Sequence, residues 1–209
     1  MLSDRGVAII RSRVVERAAY VLGAMLLLTW AGATARGRLA AAEALEAFSQ
    51  APVDTSAWSP ERVKAYASAR SSPATPLAIL TIPRLGLTVP VLEGVDAAAL
   101  DRGAGHIPET ASPGQPGNVG IAGHRDGFFR GLKDVRVGDE IRLETHRELA
   151  VYVVEKTWVV EPEDLSVLEP TSGASITLVT CFPFYYVGAA PRRFIVRASV
   201  PLDRPIETR

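Results

Sequence analysis

The amino-acid sequence predicts a mostly β protein whose main domain, residues 77–203, closes or nearly closes into a barrel. Three observations carry this. Seven short segments of apolar, β-branched and alternating residues crowd into about 125 positions with turn signals between them, the spacing of a barrel rather than of a parallel sheet. Only two short helical pieces, residues 96–103 and a turn near residues 163–168, fit among the strands. An apolar fraction of 47% is enough to fill one core.

The elements before the barrel follow from charge and hydropathy. Residues 1–17 carry Arg5, Arg11, Arg13 and Arg17. Residues 18–35 (AAYVLGAMLLLTWAGATA) carry no charge. Such a run is near the minimum that crosses a hydrocarbon core of ~30 Å as a helix. Only Arg36 and Arg38 follow closely, so the excess of arginine before the run puts the N-terminus in the cytoplasm and the barrel outside. This is a single-pass anchor in the cell membrane. The steps Ala31-Gly32-Ala33 and Ala33-Thr34-Ala35 have the form of a signal-peptide cleavage site, which is the competing reading. The length of the run and its continuation into helix-forming sequence favour an uncleaved anchor. Residues 36–50, rich in alanine, prolong the helix into a stalk. Residues 51–59 break it, and Ser59-Pro60-Glu61 has the cap, first-turn proline and acid that start a second helix, running to about Arg70. Residues 71–76 are a linker, so 36–76 form the helical stalk and linker.

The strands come next. Residues 77–83 (LAILTIP) and 87–94 (LTVPVLEG) flank the turn Arg84-Leu85-Gly86. Residues 118–125 (NVGIAGHR) follow a loop rich in glycine and proline. Residues 139–145 and 149–160 alternate around His146-Arg147-Glu148, a hairpin signature. Residues 175–181 (SITLVTC) and 194–200 (FIVRASV) complete the set, and residues 204–209 are a tail.

Composition excludes several functions. Lys+Arg and Asp+Glu are both 23, so the net charge is zero and no basic field is available to hold nucleic acid. One cysteine excludes an intrachain disulfide and a four-thiolate zinc site. There is no GxGxxG and no phosphate loop, so no cofactor is expected.

That one cysteine, Cys181, lies where an apolar strand meets Phe182-Pro183. Proline cannot donate to a ladder, so the strand is expected to end on the thiol and hold it rigidly at a rim. A lone cysteine is more often core filler. A thiolate nucleophile needs a base or cation beside it, and His124 and Arg193 are the candidates. His124 ends the strand Val119-Gly120-Ile121-Ala122-Gly123, whose glycines allow close approach to its backbone. His146 sits in a charged turn, and His106 in a loop (Gly103 to Pro108), where a structural role is the simpler one. Arg193 opens the strand that follows the Cys181 loop. Pairing of the two strands as a hairpin would return its guanidinium toward the thiol, as a fixed positive donor suited to an oxyanion. Arg192 and Arg197 fit a surface role better, although alternation puts Arg193, Ile195 and Arg197 on one face.

TLVTC (177–181), IAGHR (121–125) and RRFIVRA (192–198), in this order and spacing, resemble the cysteine, histidine and arginine motifs of the sortases, most of all those of class D. The likeness runs from about Leu77 to Val200. It implies a closed eight-stranded barrel behind a membrane anchor, and a cysteine transpeptidase of the thiol-peptidase class. Such an enzyme cleaves an LPxTG-like C-terminal sorting signal of exported proteins and joins the new carboxyl end to an amine acceptor. By position, Cys181 is then the nucleophile that forms a thioacyl intermediate. His124 protonates the leaving amine and deprotonates the incoming one, and Arg193 binds substrate backbone and the oxyanion. Ala122, Val179, Thr180 and Ile195 match positions lining the peptide groove. Asp126 is the acid nearest His124 in sequence, though the family does not require one there. No acidic cluster argues for the calcium site of some members, and no metal is expected. The competing functions are a cysteine hydrolase of the same peptides and a barrel that only binds them. The Ser-His-Gly-Cys motif of the other extracytoplasmic cysteine transpeptidases is missing, since Cys181 follows Val179-Thr180.

Overall fold

The computed structural model describes residues 17, 20–29, 53–69, 75–185, 188–201 and 207–208. The chain divides into two compact units, residues 1–53 and 54–209. In the first, residues 20–29 are helical, with Tyr20, Leu22, Met25 and Leu28 exposed. No helix among the described residues is long and apolar enough to cross a membrane. The rest of the expected span 18–35, and the stalk expected over 36–50, lie outside the described residues.

The second unit is a barrel. Its strands are β1 (Ala78–Ile82), β2 (Leu87–Glu93), β3 (Ala104–His106), β4 (Asn118–Gly123), β5 (Glu140–Glu144), β6 (Glu148–Val160), β7 (Ser175–Phe182) and β8 (Arg192–Ser199). They pair in the order β5-β1-β2-β3-β4-β7-β8-β6, and β6 pairs again with β5 to close the ring. A two-residue β9 (Glu207–Thr208) adds to the start of β6. The alternation predicted for the strands fills the interior, where Leu80, Ile82, Val89, Ile121, Leu143 and Leu178 are fully buried. Each such side chain contributes roughly 1.5–3 kcal/mol relative to exposure.

All seven expected strands form, and two more appear. β3 lies in the segment expected to be a loop around His106. It is three residues long, pairing parallel to β2 and antiparallel to β4. A Cβ at Gly105 would meet the Gly94 carbonyl oxygen at 2.1 Å, so only glycine lets the two backbones lie that close. β9 falls in the expected tail. β7 runs one residue past Cys181, because Phe182 keeps its own N–H and pairs with Arg192 before the cis-proline Pro183 ends the ladder.

The helices start as their caps dictate. Ser59 Oγ accepts from the Arg62 amide at 3.2 Å at the head of α1 (Pro60–Ala69). Asp96 accepts from the Ala99 amide at 2.8 Å at the head of α2 (Ala97–Arg102). The turn expected near 163–168 is a 3-10 turn, Leu165–Leu168, capped by Asp164. Another 3-10 segment, Phe128–Asp134, was not expected, and it buries Phe128, Phe129 and Leu132. α1 belongs to the compact unit of the barrel. Trp58, just before it, and its own Tyr66 pack edge-on to Phe128, with ring centroids 4.8 and 5.6 Å away.

Candidate active site

Strand direction assembles the site. β4 and β7 run parallel with Gly123 opposite Thr180, so the next residues, His124 and Cys181, come to the same rim, His124 just beyond β4 and Cys181 still paired in β7. β8 runs antiparallel to β7 and sets Arg193 directly across from Cys181. Directly opposed residues share a face, with Cβ atoms about 4.5–5.5 Å apart. The three residues singled out from the sequence thus come together, although two of the strands are far apart in the chain. Cys181 is a free thiol and half-buried. Arg193 Nη1 donates to the carbonyls of Ala190, at 3.2 Å, and Arg192, at 3.1 Å, which anchors the guanidinium within its own loop.

The same register sorts the expected groove residues. Ala122 pairs with Val179, and Val179 with Ile195, so all three lie on the Cys181 face. Ala122 and Val179 are partly exposed, whereas Ile195 is fully buried. Thr180 must be corrected. Strand alternation turns it to the opposite, interior face, where it is buried and its Oγ1 donates to the Gly123 carbonyl at 2.7 Å. It ties β4 to β7 just below the rim instead of lining a groove. Arg197 also departs from its expected surface role. It lies on the Cys181 face, half-buried, and its Nη2 donates to the Val167 carbonyl at 2.6 Å.

Small residues and polar staples hold this frame. A Cβ at Gly123 would fall 2.6 Å from the Phe129 ring, so the glycine lets that ring pack directly under the end of β4. The His124 carbonyl accepts from the amides of Gly127 at 3.1 Å and Phe129 at 3.2 Å, and the chain turns there. Arg125 reaches the Pro183 and Gly188 carbonyls at 3.1 and 2.9 Å, tying the histidine loop to the loop between β7 and β8. Farther down the Cys181 face, Asn118 accepts from Thr177 at 2.7 Å. It also donates to the carbonyls of Val167 and Glu169, at 3.2 and 3.1 Å. Asn118 and Arg197 therefore pin the segment between β6 and β7 against the sheet.

The imidazole of His124 is three-quarters covered, with 27% of the side chain exposed. Burial pushes its pKa below the ordinary value, and the Arg62 cation adds to this, while Asp126 and Asp101 act the other way. Its nearest carboxylate is not Asp126 but Asp101 of α2, whose Oδ1 stands 3.7 Å from Nε2. His106, in β3, is buried, with Nε2 3.1 Å from the Ala111 carbonyl and 3.2 Å from Thr110 Oγ1. His146 is exposed in its turn. Among the described residues, no group of His, Cys, Asp and Glu could hold a metal ion. A thiol, a largely covered imidazole and an anchored guanidinium at one rim are groups of the kind that can serve acyl transfer as nucleophile, proton carrier and oxyanion donor.

A family model described as a sortase domain matches residues 80–200, from β1 through β8. The chain belongs to the sortase family. Sortases are cysteine transpeptidases, and this sortase is 34% identical over 139 residues to Sortase D of Bacillus subtilis, an alignment covering 66% of this chain and 70% of the relative. Its fold superposes on the crystal structure of Sortase E1 from Streptomyces coelicolor with a tripeptide in the active site. There the TM-score is 0.58 and the identity 33%, over 66% of this sortase and 93% of the other. A Clostridium perfringens Sortase D5 transpeptidase is similar with a TM-score of 0.57 and 25% identity, over 76% and 94% of the two chains. The class D likeness of the motifs is thus matched by relatives of that name. Sequence reasoning missed Asp101, Arg62 and Asn118 in this sortase, because none has a motif or a periodic position to announce it.

Proposed function

We propose that the protein is a membrane-anchored sortase that cleaves an LPxTG-like sorting signal and transfers the carboxyl end to an amine of the cell envelope or of another protein. The carrying observation is the register that sets Arg193 opposite Cys181 and ends the neighbouring strand at His124. In this mechanism the Cys181 thiolate attacks the carbonyl of the scissile bond. Negative charge gathers on the carbonyl oxygen, which the Arg193 guanidinium stabilises while also holding the peptide backbone. His124 gives its proton to the departing amine, leaving a thioacyl enzyme, and then takes a proton from the incoming amine. Ala122 and Val179 contact the peptide on the exposed part of the same face, with Ile195 as the floor beneath. Support for a peptide substrate comes from the tripeptide bound in the active site of Sortase E1. Support for the anchor comes from the uncharged run 18–35 behind an arginine flank.

Product analysis tests the transfer step. A peptide carrying an LPxTG motif, incubated with and without oligoglycine or diaminopimelate, is expected to yield the amide-linked product when the amine is present. Release of the free acid alone at saturating amine would make the protein a hydrolase.

Arg193→Lys should reduce kcat/KM by about 10²-fold or more, since a single ammonium cannot replace a planar fork aimed at an oxyanion. Arg192 opposes Phe182 on the other strand face, with its guanidinium 5.5 Å from that ring. Arg192→Lys should therefore be nearly silent. Steady-state kinetics of the pair checks the assignment, and greater sensitivity at Arg192 would refute it.

A further inference from the structure

α1 reaches the neighbourhood of His124 through one side chain. Arg62 Nη1 donates to Asp101 Oδ1, the same oxygen that stands 3.7 Å from His124 Nε2. That separation is an ion-pair distance but too long for a hydrogen bond. Arg62 Nε lies 3.4 Å from Asp126 Oδ1, while the other oxygen of Asp126 accepts from Ser59 Oγ at 3.4 Å. This Nε is buried and has no hydrogen-bond partner, so Arg62 is held over two carboxylates without satisfying all its donors. Aromatic packing keeps it there. Trp58 and Tyr66 grip Phe128, and the next ring, Phe129, packs under Gly123 immediately before His124. The charged groups facing the imidazole are therefore Arg62 from α1, Asp101 from α2 and Asp126 from its own loop.

We infer that Asp101 is a positioning residue for His124, and that α1, by drawing the same carboxylate oxygen onto Arg62, sets how firmly Asp101 holds the imidazole. The inference rests on the proposal that His124 carries the proton. With α1 docked, the oxygen is divided between guanidinium and imidazole. With Arg62 removed, it is free to close on Nε2. A bond at one ring nitrogen fixes the tautomer and leaves the other nitrogen for proton transfer. The effect of Arg62 on His124 is thus opposite to that of Asp101, although the two form one ion pair.

That opposition makes the test. On the full chain, the His124 ring is titrated by NMR with nitrogen-15-labelled histidine, beside kcat and KM for the same variants. Asp101→Asn should lower the His124 pKa by about one unit, the low end of what a nearby opposite charge is worth. It should lower kcat about tenfold with KM unchanged, part of the 10²–10⁴ that acid–base help supplies. Arg62→Met should raise the pKa. Shifts of the same sign in Asp101→Asn and Arg62→Met would mean that the ion pair only holds the fold, and would overturn the inference. If Asp101→Asn does not fold, the direction in Arg62→Met decides alone, and a fall or no change refutes it. Turnover surviving in His124→Ala would remove the catalytic role of the histidine while leaving the titration result standing.

Discussion

Cys181→Ala is expected to abolish peptide cleavage and transfer while the barrel stays folded. The side chain is half-buried at a paired position on β7, and alanine keeps both the backbone pairing with Arg193 and the available space. No second thiol can replace it. It is the only cysteine of the chain, and Thr180, the nearest hydroxyl in sequence, points to the interior and is committed to the Gly123 carbonyl. Chromatographic assay of peptide turnover, with circular dichroism as the control for folding, decides it. Retained turnover in a folded variant would end the nucleophile assignment.

The next largest effect belongs to His124. His124→Ala should reduce kcat/KM by at least ~10³-fold, because general acid–base help is typically worth 10²–10⁴ and the thiolate loses its counter-charge as well. The titration of the imidazole in the unmodified enzyme carries a second signature. Burial and Arg62 together depress the imidazole's pKa. Its NMR titration in the free enzyme should therefore have its midpoint below the ordinary histidine value of about 6.5. His146→Ala should leave kinetics unchanged, since the ring is exposed in a turn. His106→Ala should cost stability before activity, because it breaks buried contacts with Thr110 and Ala111. An equal kinetic loss at His106 would reopen the choice of histidine.

The legible parts of this protein were those governed by period and punctuation. Apolar, β-branched runs marked β1, β2 and β7, and alternation marked β5, β6 and the shared face of Arg193, Ile195 and Arg197 in β8. Ser59 and Pro183 marked ends because each acts on its immediate neighbours. β3 was not legible: three residues, Ala104, Gly105 and His106, are too few for a period, and they form a strand only because both neighbours leave an edge to fill. Within the site, Cys181, His124 and Arg193 could be chosen because each stands at a strand end. Thr180 was misplaced because a motif does not say which face a residue takes, whereas alternation from Cys181 does. Asp101 and Arg62 could not be found, since their meeting depends on where two helices dock, and α1 buries no residue fully that would mark its docking face.

The parallel pairing of β4 with β7 also determines when the rim is built as the chain folds. Thr180 and Gly123, like Ser175 and Asn118, are joined across 57 residues. The β5–β6 and β7–β8 pairs, by contrast, are antiparallel neighbours in sequence. Hairpins of that kind form within microseconds, but closing a long segment costs chain entropy before its contacts can offset it. A chain caught with only its hairpins formed would hold Cys181 beside Arg193 and have no imidazole near either. The rim is complete only once β4 has closed onto β7, across those 57 residues.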